Sequence, residues 1–147
     1  MSIRLNRKKL LCISFFLCCV LPACFSWFEY RETHWCGLSL MELPLLISTT
    51  LFALALLFER PRYMLPFGIF SHILLLAFLI KSFITFPVFS GIAPTHDLRI
   101  SLDLARPAFW IGLALLPTHL TLFTTTEIAV QKLSRQSETA PKKSADL

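Results

Sequence analysis

Four stretches of the chain are apolar almost throughout, with no regular return of polar positions. Leu10 to Phe28 carries no charge between Lys9 and Glu29. Gly37 to Phe58 holds one acid, Glu42, and Tyr63 to Phe89 holds one base, Lys81. Ala108 to Thr126 is again free of charge. A bilayer core of about 30 Å needs roughly 20 apolar residues at 1.5 Å rise each. Spans are therefore expected at 10–28, 37–58, 63–89 and 108–128, the third long enough to tilt. Runs such as Ile73-Leu74-Leu75-Leu76-Ala77-Phe78-Leu79-Ile80 do not alternate, which argues against the strands of a barrel. The pattern predicts an all-α fold, a four-helix transmembrane bundle built as a single membrane domain over 1–135.

Composition agrees. Of 147 residues, 55% are hydrophobic and 16% charged, with 14 Phe and only 4 Gly; the mean hydropathy is +0.66. An average soluble domain carries roughly 25% charge. An ordinary water-soluble globule, a disordered chain and a secreted disulfide scaffold are thereby excluded.

The basic residues set an orientation. Arg4, Arg7, Lys8 and Lys9 precede the first expected span, Arg60 and Arg62 sit in the tight link between the second and third, and Lys132, Arg135, Lys142 and Lys143 follow the fourth. Placing both termini in the cytoplasm puts all of these inside and leaves only Arg31, Arg99 and Arg106 outside, each with an acid nearby. The net charge of +5 thus reads as topology. Nucleic acid is not an expected partner, because there is no basic patch with interleaved aromatics. The segment 136–147, rich in Ser, Lys, Ala and Pro, is expected to be a disordered cytoplasmic tail. Leu21-Pro22-Ala23-Cys24 after a basic start imitates a lipoprotein signal. Pro22 suits such a signal poorly and further spans follow, so the first segment is expected to stay attached.

Counting from the expected helix ends places Cys18 and Cys19, Ser48 to Thr50, Ser71 and His72, and Thr118 and His119 near mid-bilayer. An ionisable group at that depth is costly and should face the bundle. His72, His119 and the paired cysteines are the right ligand types for a metal or haem. Their spacing lends no support: no two His share a helix at i, i+3 or i+4, and there is no C-x-x-C. The alternative is that neutral His and Thr hydrogen-bond between helices as packing, and Thr118, Thr121 and Thr125 along one face suit it. The expectation is packing without metal or cofactor, with His72 and His119 as the candidate ligands. Glu42 and Lys81 sit at nearly one depth on antiparallel neighbours and are expected to form an intramembrane ion pair; the alternative is that each snorkels separately to the outer surface, which the long Lys stem allows.

Cys24 and Cys36 flank the first outer loop, residues 29–36, where an oxidising compartment would permit a disulfide; free thiols are the alternative. Trp27, Phe28, Tyr30, Trp35 and Trp110 are expected to anchor at the outer boundary as an aromatic belt. In the second outer loop Leu98, Ile100, Leu102 and Leu104 alternate with Arg99, Ser101 and Asp103. Period two argues for an extended segment, with a short interfacial helix as its competitor.

No Gly-rich phosphate loop, H-E-x-x-H or nucleophile elbow is present, and the loops are too short for a catalytic constellation, so no enzyme is expected. A membrane thiol oxidase would need a close C-x-x-C pair and a second pair in the other loop, and no Cys follows Cys36. The stretch Leu21-Pro22, Ser26-Trp27-Phe28 and Cys36-Gly37-Leu38-Ser39-Leu40 resembles small four-helix bacterial inner-membrane proteins of unknown function. The last helix, from Phe109-Trp110-Ile111-Gly112-Leu113 through Thr121-Leu122-Phe123-Thr124 to Lys132-Leu133, resembles the end of colicin A-type immunity proteins. Those neutralise a pore-forming toxin by binding it in the membrane. The combined expectation is a non-enzymatic, multi-pass protein of the bacterial inner membrane. It would act in the lipid bilayer by lateral contact with another membrane protein. The alternatives are immunity against a pore-forming bacteriocin and a small transporter or channel subunit, though a transporter should show inverted repeats and a broken helix pair.

Overall fold

The computed structural model describes residues 2–57 and 61–139. In chain order it has α1 (Ser2–Phe15), a π turn (Phe16–Val20), a 3-10 turn (Leu21–Cys24), β1 (Ser26–Tyr30), β2 (Thr33–Cys36), α2 (Gly37–Leu57), α3 (Pro61–Phe89), α4 (Leu98–Leu104) and α5 (Pro107–Thr139). The link 58–60, with Arg60, and the tail from 140 lie outside the described residues.

Among the described residues 3 helices are long and apolar enough to cross a membrane: Gly37–Leu57, Met64–Phe89 and Pro107–Gln136. The chain is therefore a multi-pass helical membrane protein. The expected four-helix bundle with both termini cytoplasmic is not its fold, and the difference lies in 10–28. Here α1 has only 14 residues, about 21 Å at 1.5 Å each, against a core of about 30 Å. Arg4, Arg7, Lys8 and Lys9 all lie within its first eight residues. Its apolar continuation winds through π and 3-10 turns, the second with Pro22 near its start. Trp27 and Phe28, which the hydropathy pattern counts into a helix, are in β1.

The broken segment packs antiparallel to α5. Arg7 meets Glu127 at 3.6 Å, Ser14 meets His119 at 2.9 Å, and the Trp27 carbonyl accepts from the Arg106 N–H at 2.8 Å. On α2, Pro44 has no N–H to offer the Leu40 carbonyl, and Met41 leaves helical geometry at φ −126°, ψ 22°. α3 runs on through Pro66 and Pro87 to Phe89. α5 continues helically to Thr139, into the first residues of the segment expected to be disordered.

Two aromatic clusters fill the core. At mid-bundle Phe15 stacks on Phe52 with ring centres 4.1 Å apart, and Phe123 packs edge-on to Phe52. At the hairpin end Phe28 stacks on Phe86 at 4.0 Å, beside Phe109. Trp27 and Phe28 are 2% and 0% exposed, so they are core rather than belt anchors. The Trp27 ring donates to the Pro22 carbonyl at 2.8 Å and lies directly over Gly37, where a side chain would overlap it. Trp110 stays 40% exposed.

The loop expected at 29–36 is part of a β-hairpin, β1 antiparallel to β2, turning at Arg31 with φ 56°. Residues 98–104 form α4, an α-helix rather than an extended segment. Its start is capped by Asp97, which accepts from the Arg99 N–H at 2.9 Å. Burial of Ser101, whose hydroxyl donates to the Phe83 carbonyl at 2.7 Å, ties it to α3. Extended pairing with the first loop occurs just beyond it, between Phe28 and Ala105.

Candidate functional site

The middle of the bundle holds a polar chain inside an aromatic shell. His72 on α3 and His119 on α5 are each 1% exposed. Their rings lie end to end, nearly coplanar at 11° with centres 5.0 Å apart, and His72 Nε2 lies 2.7 Å from His119 Nδ1. His72 Nδ1 is 2.7 Å from the Gly68 carbonyl, and His119 Nε2 is 2.9 Å from Ser14 Oγ. Phe15 and Phe52 meet both rings edge-on, and Phe123 stacks on His72.

These contacts determine the proton pattern. A carbonyl only accepts, so His72 Nδ1 must carry its proton. In the neutral ring Nε2 then accepts, which makes His119 Nδ1 the donor. His119 Nε2 in turn accepts from the Ser14 hydroxyl. A second pattern can be satisfied at Ser14, though it gives up the His72–His119 hydrogen bond, because the Ser14 hydroxyl also lies 3.0 Å from the Leu11 carbonyl. With the hydroxyl turned there, Ser14 Oγ is free to accept from a proton on His119 Nε2.

Beside the pair stands Cys19, partly buried. Ligand atoms of Cys19, His72 and His119 all lie within 4.8 Å of one another. The sequence separates these residues by whole helices, and only packing of the broken first segment against α5 brings them together.

The remaining mid-depth hydroxyls divide. Ser48 and Ser71 exchange hydrogen bonds across α2 and α3, each hydroxyl donating to the other's carbonyl at 3.1 and 2.8 Å. Thr118, Thr121 and Thr125 instead donate to carbonyls of their own helix, Ala114, Pro117 and Thr121. They do not join helices as the shared face suggests.

Glu42 and Lys81 are both exposed, and among the described residues no ion pair joins them. Glu42 follows the kinked, buried Met41 and lies off the interior face of α2. The Lys81 ammonium rests 5.5 Å above the Phe78 ring. It borders a groove of about 250 Å³ between α2 and α3, shared with Ser39, Pro44, Ser82 and Thr85.

An ion pair that reaches a spanning helix joins Arg7 of α1 to Glu127 of α5 at 3.6 Å. Glu127 is 1% exposed, and among the described residues neither of its oxygens has a hydrogen-bond partner. The sequence signal for it is faint: Glu127 is the first acid after the charge-free run, opposite the basic start of the chain.

Cys24 and Cys36 are both free thiols. Cys36 lies 3.5 Å from Ser39 Oγ. That hydroxyl, aided by backbone N–H groups of the α2 start, holds the Cys36 thiol below the ordinary range. At the same end Glu29 pairs with Arg106 and approaches His34 at 3.5 Å.

No protein-family model matches the chain, and comparisons with curated proteins and with solved structures find no match either, so the chemistry rests on these side chains alone.

Proposed function

We propose that this is a non-enzymatic protein of the bacterial inner membrane that acts by lateral contact with another membrane protein. The groove between α2 and α3 carries the reading. Lys81 sits inside a membrane-crossing helix and is exposed there, with an aromatic ring and three hydroxyl side chains around it. A charge at bilayer depth costs about 2.5–3.5 kcal/mol at a helix centre on insertion scales, less near an interface. A partner helix that brings an Asp or Glu to the depth of Lys81 offsets that cost and can accept from the Ser82 hydroxyl; Thr85 already donates to the Lys81 carbonyl at 2.9 Å. The volume of about 250 Å³ suits a few side chains of such a helix; drug-sized ligand sites run from about 300 Å³ upward.

Placing a photoreactive amino acid at Phe89, on the groove's rim, tests this in cells. The expected adduct is one membrane protein with an acid in its spanning helix, lost in the Lys81→Met variant. Adducts with lipid only, with a second copy of the chain, or unchanged by Lys81→Met would overturn the reading.

A further inference from the structure

We propose that Cys19, His72 and His119 form an intramembrane site for one soft monovalent metal ion, cuprous copper. Three observations point there: the three ligand atoms within 4.8 Å, the two imidazoles already facing each other at 2.7 Å, and outer partners that suit ligation.

Metal–nitrogen bonds of about 2.0 Å and metal–sulfur bonds of about 2.3 Å put trigonal ligands roughly 3.5–3.7 Å apart. The imidazole nitrogens need to part by less than about 1 Å, and the sulfur to close by about as much, movements within side-chain rotation. His72 ligates through Nε2 while its Nδ1–H keeps the bond to the Gly68 carbonyl at 2.7 Å. His119 ligates through Nδ1 once its proton moves to Nε2, where it donates to Ser14 Oγ. The Ser14 hydroxyl then turns to the Leu11 carbonyl at 3.0 Å. Ligating histidines commonly hold their second nitrogen in this way. Binding therefore strands no polar group.

The choice of metal follows from softness, coordination number and charge. A thiolate with imidazoles suits cuprous copper and zinc. Structural zinc takes four ligands, and this cluster offers three within an aromatic shell of Phe15, Phe52 and Phe123. One thiolate and one cuprous ion sum to zero charge, whereas zinc with one thiolate leaves a net positive charge at bilayer depth. Each histidine keeps one proton, so the balance is Cys–SH plus Cu(I) giving Cys–S–Cu plus one proton released to solvent. No oxidation state changes.

The test uses the full chain in mild detergent, loaded with cuprous ion under argon and passed over a competing chelator column. One copper should remain per chain, and its X-ray absorption should read one sulfur and two nitrogens. Cys19→Ser and His119→Gln should each weaken retention by more than about 100-fold, since even outer-shell partners are worth 10–100-fold; Ser14→Ala should weaken it by about 10-fold. Cys12→Ser and Cys18→Ser should leave it unchanged. Where a ligand variant fails to fold, the wild-type spectrum still decides. Retention lost in Cys18→Ser but kept in Cys19→Ser, a sulfur-only spectrum, displacement by equimolar zinc, or no retained copper would each overturn the proposal.

Discussion

Gly68 offers the most direct check of how α3 and α5 meet. A Cβ built there would overlap the Phe123 ring, and that ring stacks on His72 and packs against Phe52. Phe123 is 0% exposed, so it has no open side to yield into. To reach van der Waals contact of about 3.5–4.0 Å the ring or the helix must move by more than about 1 Å. Overpacking of that kind costs about 1–3 kcal/mol, while Gly to Ala in a helix interior returns up to about 1 kcal/mol. The ring is fully enclosed and the overlap deep, so the cost lies in the upper part of that range and Gly68→Ala should lose about 1–2 kcal/mol net. Gly112→Ala is the internal comparison. Its Cβ would sit 3.4 Å from Pro22 Cβ and 4.0 Å from Leu79 Cδ1, ordinary contacts, so helix propensity should make it neutral or stabilising. Thermal unfolding in one detergent, followed by circular dichroism, compares the two. At about 2–4 °C per kcal/mol for a chain of this size, Gly68→Ala should melt several degrees below wild type and Gly112→Ala at or above it. In a Phe123→Leu background the cost of Gly68→Ala should shrink. A Gly68→Ala protein as stable as Gly112→Ala would refute the close approach and, with it, the alignment that brings His72 to His119.

Both Cys24 and Cys36 should alkylate without prior reduction, and Cys36 should react with a pH profile displaced below an ordinary thiol's midpoint of about 8.5; protection of the two until reductant is added would contradict this. Removing Arg7 takes the nearest partner from the buried Glu127 carboxylate and leaves Lys8 as the remaining cation near it, whereas removing the carboxylate leaves an arginine whose side chain is 21% exposed. Arg7→Met should therefore destabilise more than Glu127→Gln at pH 7, by about 1 kcal/mol or more given 3–5 kcal/mol for a fully buried pair broken on one side, and the reverse order in detergent unfolding would overturn that assignment. Glu42→Gln and Lys81→Met should be additive in stability within about 0.3–0.5 kcal/mol, with a larger coupling showing that the two charges do meet.

Membrane insertion and the three long helices were legible from residue order alone. Hydrocarbon demands a run of apolar residues of fixed length, and that is a local property which Gly37–Leu57, Met64–Phe89 and Pro107–Gln136 satisfy without reference to one another. That His72 and His119 lie at corresponding heights, close enough to meet between α3 and α5, agrees with the same count. Hydropathy misjudged 10–28 because it weighs side chains and not backbone geometry, and so missed the π and 3-10 turns before the hairpin. What the polar groups touch was decided by tertiary structure. A helix apolar on every side gives no angular signal, so nothing in the sequence says that His72 turns toward His119, or that Thr118 bonds its own helix. Proline kinks then reset rotation locally, as Pro44 does around Met41 beside Glu42. The Arg7–Glu127 contact and the approach of Cys19 to the histidines required the first segment to lie antiparallel along α5. That is a long-range arrangement, set by how Phe15, Phe52 and Phe123 close together rather than by the pattern of any one stretch.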